Sequence, residues 1–133
     1  MSQPTSQELI QDLASHPDIM VRRQAAESLG KIGQPEAVEP LLAALRDSNE
    51  WVRYAAVQSL GVLGDRRAVE PLTKRLYDAV WRVRQAAALA LGNLGDPRAL
   101  PVLEQVLGTV REPDVDVREA AQQAIAQIQA GIR

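Results

Sequence analysis

Residues 52–72 read VRYAAVQSLGVLGDRRAVEPL, and the same frame returns on both sides of them. Val-Arg opens the stretch at Val52-Arg53 and occurs again at Val21-Arg22, Val83-Arg84 and Val117-Arg118, at intervals of 31, 31 and 34 residues. Behind the first three copies come Ala25, Ala56 and Ala87, then Leu29-Gly30, Leu60-Gly61 and Leu91-Gly92, then Ile32-Gly33, Leu63-Gly64 and Leu94-Gly95. A second frame, Ala37-Val38-Glu39-Pro40-Leu41, is matched by Ala68-Val69-Glu70-Pro71-Leu72 and more loosely by Ala99-Leu100-Pro101-Val102-Leu103. A unit this short cannot bury its apolar stripe alone, so successive units must stack.

Each half of the unit has helical periodicity. Val21, Ala25, Leu29 and Ile32 fall at i, i+4, i+8 and i+11, and Val38, Leu41, Leu42 and Leu45 form a second stripe. The Leu-Gly-x-x-Gly motif reads as helix-end chemistry, with Gly33, Gly64 and Gly95 supplying left-handed caps and Asp65 and Asp96 opening the next helix. Pro40 and Pro71 lie about one turn inside the second helix, which predicts a bend or a shifted start there. Eight helices are expected, over residues 6–15, 19–31, 35–46, 50–62, 66–77, 80–93, 97–107 and 115–130. The expected architecture is an all-α solenoid, a superhelix of stacked helix pairs in one domain. Its parts are a half repeat (5–17), repeats at 18–48, 49–79 and 80–113, and a capping helix (114–133).

Composition agrees. Apolar residues make up 46% of the 133, aromatic residues only 3%, and Phe is absent, so the core must be closely packed Ala, Leu, Val and Ile. Fifteen Lys and Arg face 17 Asp and Glu, a net charge of −2 with no bias towards nucleic acid or an anionic membrane. The absence of Cys excludes a disulfide framework, thiol catalysis and Cys-based metal centres. Residues 1–5 show no basic or apolar leader pattern, and the longest apolar run, Ala86 to Leu91, is far short of the ~20 residues a membrane span needs. A cytoplasmic setting is expected.

The series Val52-Arg53, Ala56, Leu60-Gly61, Leu63-Gly64-Asp65, Ala68-Val69, Pro71-Leu72 resembles the HEAT-like repeats of the phycobilisome lyase type, over nearly the whole chain. The resemblance implies the stacked-helix fold. It does not single out an activity, because such repeats occur in bilin lyases, in degradation factors for light-harvesting antennae, in metal-dependent hydroxylases and in adaptors, and designed repeat binders are similar.

A dinuclear-iron hydroxylase of this class needs His-Glu pairs recurring between repeats, and the chain has one His, His16, beside Pro17 at a helix end. It reads as a surface or capping residue. The residues name no catalytic group, no metal ligand set and no cofactor. Arg22, Arg53, Arg84 and Arg118 recur in step with Asp47, Asp78 and Glu112, which end the preceding helices. This predicts a structural ladder in which each Arg bridges to a carboxylate at a repeat junction, with Glu112 six residues before Arg118 as Asp78 is before Arg84. The three extra residues of the last interval, around Gly108, Thr109 and Val110, should then bulge out before Glu112.

Positions that vary between repeats are free of the packing frame. They include Met20 and Arg23 in the first unit, Trp51, Tyr54, Ala55 and Gln58 in the second, Trp81, Arg82, Gln85, Ala86 and Leu89 in the third. Three of the four aromatic residues fall in this set, on a row that resembles the concave surface of such solenoids. Trp51 and Trp81 are expected side by side, flanked by Met20 and Arg82, as an interaction hot spot. The functional expectation is a non-enzymatic scaffold holding a protein partner in the concave groove through Met20, Arg23, Trp51, Tyr54, Gln58, Trp81, Arg82, Gln85 and Leu89. The second expectation, implied by the resemblance, is a phycobilin-lyase-like accessory protein binding a bilin or a bilin-carrying protein, with Arg23, Arg82 and Tyr54 at the propionates.

Overall fold

The computed structural model describes residues 2–109 and 111–132, so Val110 of the insertion lies outside the described residues. Eight α-helices follow in order: α1 Ser6–Ser15, α2 Ile19–Ile32, α3 Val38–Ala44, α4 Glu50–Leu63, α5 Val69–Arg75, α6 Trp81–Leu94, α7 Leu100–Leu107 and α8 Val115–Ala130. The described residues contain no strand. Local chemistry explains the boundaries. The Thr5 side chain and Glu8 form a reciprocal capping box, and Asp18, Asn49 and Asp114 each accept a backbone N–H at the start of α2, α4 and α8. Gly33, Gly64 and Gly95 close α2, α4 and α6 at φ of 74°, 70° and 68°, the left-handed region.

The second helices start late, as the prolines predict. A 3₁₀ turn at Pro35–Ala37, Arg66–Ala68 or Pro97–Ala99 precedes α3, α5 or α7. Pro40 and Pro71 therefore fall in the first α turn, where a missing N–H leaves no bond unmade.

Buried apolar residues run without a break through the stack: Ala25, Ala26 and Leu29 of α2, Val52, Ala56 and Leu60 of α4, Val83, Ala87 and Leu91 of α6, Ala121, Ala124 and Ile128 of α8, with Leu41, Leu72 and Leu103 behind them. Two residues of the expected first stripe depart from it. Val21 is half-buried and Ile32 is 44% exposed, whereas its counterparts Leu63 and Leu94 pack on the core. Beside α2 on that side stands only the short α1, which leaves Ile32 uncovered.

The Leu-Gly-x-x-Gly motif proves to hold two kinds of glycine. Only the second caps the helix. The first, at Gly30, Gly61 or Gly92, lies where the next unit's first helix crosses. A Cβ on Gly30 would run into the Ser59 side chain, one on Gly61 would stand 3.0 Å from Ala90 Cβ, and one on Gly92 3.0 Å from Ala124 Cα. Missing side chains thus let α2, α4, α6 and α8 pack directly on one another, and Ser59 Oγ ties α4 to α2 by donating to the Ala26 carbonyl at 2.7 Å. The helices α3, α5 and α7 touch one another far less.

The arginine ladder has a different sense from the expected one. Arg53 donates from Nη1 to the backbone carbonyl of Asp47 at 2.8 Å, and turns its Nε and Nη2 to the carboxylate of Asp78 at 2.9 and 3.1 Å. Arg22 does the same with the His16 carbonyl and Asp47, and Arg84 with the Asp78 carbonyl and Glu112. Each guanidinium thus takes a carbonyl from the junction before it and a carboxylate from the junction after it. The reading of a carboxylate six residues back is corrected: what lies six residues back is that residue's carbonyl. Arg118 holds the Glu112 and Pro113 carbonyls at 2.7 and 2.9 Å and has no carboxylate partner among the described residues. The insertion leaves this register intact. Arg111 takes up the slack at φ 56°, and the Glu112 N–H closes the bulge on the Val106 carbonyl at 2.9 Å, seating Glu112 in a buried position.

Candidate functional site

The layer of α2, α4, α6 and α8 exposes three rows of side chains set by helix register. Met20, Trp51, Arg82 and Asp116 share one row, and Arg23, Tyr54, Gln85 and Glu119 the next. Further along the helices come Glu27, Gln58, Leu89 and Gln123. Close glycine crossings draw these rows together across units, so residues some 30 apart in sequence become neighbours.

At the centre lies a mixed cationic and aromatic cluster. The Arg82 guanidinium stands over both indoles, 5.1 Å from the Trp51 ring centre and 5.1 Å from that of Trp81, and the Arg23 guanidinium is 5.4 Å from Trp51. Attraction between a cation and an aromatic face holds such groups in place without burying them. Tyr54 meets Trp51 edge to face at 5.9 Å, and its hydroxyl accepts from Gln58 at 3.0 Å. Arg82, expected to flank the two tryptophans, contacts both of them. Glu27 accepts from Arg23 Nε at 2.9 Å, and Glu50 stands 3.7 Å from Arg82. Met20 is 52% exposed on the neighbouring helix, and Trp51 is 37% exposed.

Next to the cluster an open cleft of about 230 Å³ runs between α4 and α6, lined by Tyr54, Gln58, Val62, Gln85, Leu89 and Asn93 among others. A second depression of about 370 Å³ between α2 and α4 shares Gln58 and Val62 with it. Helix register brings Tyr54, Gln58, Gln85 and Leu89 to one cleft, and the cluster of Arg23, Trp51, Trp81 and Arg82 adjoins it through the contact of Trp51 with Tyr54. Ala55 and Ala86, read as free positions, are buried as the cleft floor, because the glycine crossings bring the helices too close for an alanine there to reach solvent.

The sequence reading missed a second polar network on the opposite edge, at the 3₁₀ turns. Buried Asp96 takes Arg98 Nη2 at 2.8 Å, Arg66 Nη1 at 3.0 Å and the Arg98 N–H at 2.9 Å. The Arg98 side chain and backbone hold its carboxyl down at about 2, and Arg67 lowers Asp65 in the same way. The signal was present in Gly64-Asp65-Arg66-Arg67 and Gly95-Asp96-Pro97-Arg98, where an aspartate precedes an arginine by two.

His16 stands at the end of α1, its Nδ1 accepting the Asp18 N–H at 3.0 Å. Among the described residues no three His, Cys, Asp or Glu side chains converge as a metal site would require, and no helix is long and apolar enough to cross a membrane.

A family model described as HEAT repeats matches residues 1–61 and 38–126. The chain belongs to the HEAT-repeat family. Among solved structures, the complex of CpcE and CpcF of phycocyanin lyase from Nostoc sp. PCC7120 is 33% identical with a TM-score of 0.85, over 98% of this chain and 55% of that one. That match bears out the resemblance of these HEAT units to the phycobilisome lyase type. Human deoxyhypusine hydroxylase in complex with glycerol follows at 24% identity and TM-score 0.81, over 98% of this chain and 45% of the other. A designed armadillo repeat protein in complex with the peptide (KR)4 matches at 22% and 0.71, over 91% and 63%. The last two show the fold alone. The chain spans about half the length of the first two proteins. No curated protein sequence matches it significantly.

Proposed function

We propose that this HEAT-repeat chain is a non-enzymatic protein-binding scaffold that receives a helix or loop of a partner protein on the α2–α4–α6 face. The contacting residues are Met20, Arg23, Trp51, Tyr54, Gln58, Trp81, Arg82, Gln85 and Leu89. The observation that carries the reading is the Arg23–Trp51–Arg82–Trp81 cluster, which adjoins the α4–α6 cleft through Tyr54. Indole and guanidinium groups already held against one another lose little freedom on binding and offer a large contact area, the composition of an interface hot spot. Two similar structures are complexes in their own right, one of CpcE with CpcF and one with a peptide, which supports a binding role for the fold.

The 33% identity with the phycocyanin lyase complex favours a second reading, an accessory role towards a bilin or a bilin-carrying protein. Arg23, Arg82 and Tyr54 are then the groups facing the propionates.

Affinity capture on the immobilised chain, followed by mass spectrometry, tests the first reading. Trp51→Ala with Trp81→Ala is expected to abolish capture and leave the helical circular dichroism unchanged. Capture indifferent to the double substitution rejects the site. A visible absorbance change on mixing with a bilin, lost in the same variant, shifts the assignment to the second reading.

A further inference from the structure

We infer that the segment bound on this face is acidic, placing an Asp or Glu side chain against Arg23 and Arg82 and an aliphatic or aromatic side chain in the Tyr54–Leu89 cleft. The inference rests on the protein-binding reading above and specifies the partner's chemistry. Arg82 lies over both indoles, yet none of its N–H donors has a hydrogen-bond partner among the described residues, and Glu50 at 3.7 Å is beyond hydrogen-bonding distance. Arg23 spends its Nε on Glu27 and keeps its Nη groups open. Each guanidinium thus has one acidic neighbour yet keeps both Nη groups without a hydrogen bond among the described residues. A carboxylate binds a guanidinium through that edge, with two parallel bonds.

The apolar half of the site lies further along α6. Leu89 is seven residues beyond Arg82 on one helix, about 10 Å at 1.5 Å per residue. A ligand spans that distance with i and i+7 of a helix, or with about three residues of extended chain. Tyr54, Val62, Ala86, Leu89 and Ala90 offer the second side chain apolar surface, in a cleft that Gln58, Gln85 and Asn93 also line.

Panning a displayed library of random twelve-residue peptides against the full chain tests this directly. The recovered pool is expected to be enriched in Asp and Glu over Lys and Arg, with an apolar residue at one of those two spacings. Arg23→Gln with Arg82→Gln is expected to weaken the recovered peptides about tenfold, and added salt to weaken them further. A pool that is basic or uncharged, bound independently of the two arginines but lost with Trp51→Ala and Trp81→Ala, overturns the acidic assignment and leaves the scaffold reading standing. Recovery of no peptide, or of peptides indifferent to all four residues, overturns both.

Discussion

Asp78 accepts from Nε and Nη2 of Arg53, 25 residues earlier in the chain, at 2.9 and 3.1 Å. The same carboxylate takes Arg75 and the Val80 N–H, which opens α6 in the absence of a side-chain cap. Since Arg53 also holds the Asp47 carbonyl, one guanidinium sets the angle between two successive units. Asp78 is buried, so Asp78→Ala leaves two cations and an N–H unmatched and is expected to cost about 3 kcal/mol. Glu39→Gln, which breaks the exposed pair with Arg67, is expected to cost less than about 0.5 kcal/mol. Guanidinium unfolding midpoints measure both, and equal losses would deny the ladder its role.

The two glycines of each Leu-Gly-x-x-Gly motif are expected to separate on substitution. Gly30→Ala drives a Cβ into Ser59, displacing a hydroxyl bonded to the Ala26 carbonyl, and is expected to cost about 2–3 kcal/mol through overpacking. Gly33→Ala meets no neighbour and strains only its left-handed φ, a cost of about 1 kcal/mol. Ser59→Gly should restore much of the first loss and none of the second. Thermal unfolding of the three variants and the Gly30→Ala/Ser59→Gly pair provides the comparison.

The helices and their order were legible because apolar spacing, Asp65 and Asp96 as openers, and left-handed Gly33, Gly64 and Gly95 all point to the same boundaries. What was not legible depends on how units cross. Nothing in a one-dimensional pattern tells Gly30 in a crossing from Gly33 in a cap until Ser59 is brought beside it. The acid 25 residues ahead of Arg22 and Arg53, or 28 ahead of Arg84, and the residue six behind each arginine recur in step, so spacing alone could not assign the carboxylate to one and the carbonyl to the other. On the α2–α4–α6 face Trp51, Tyr54 and Trp81 stood out by their rarity, but the contact of Arg82 with both indoles depends on the neighbouring helices' offset.

Acid should weaken the fold at the 3₁₀ edge. Asp96, held at about 2 against an ordinary 3.8, binds its proton less readily folded than unfolded. Its contribution is therefore fully present above about pH 4 and is lost as pH falls through 4 to 2. Allowing for solvent around Arg66 and Arg98, the amount is on the order of 1 kcal/mol. Asp96→Asn should reduce stability at pH 6 and flatten its dependence between pH 4 and 2. An unchanged acid profile in this variant would place the acid sensitivity elsewhere.

Binding on the face carrying Trp51 and Trp81 is the claim on which the proposed role stands. The chain has only these two tryptophans, so its two indole N–H resonances report that face without ambiguity. Titrating the isotopically labelled protein with the partner recovered by affinity capture is expected to shift both indole signals and the backbone amides of α2, α4 and α6, leaving those of α3, α5 and α7 in place. Unmoved indoles at saturation, with shifts confined to α3, α5 and α7, would contradict the claim.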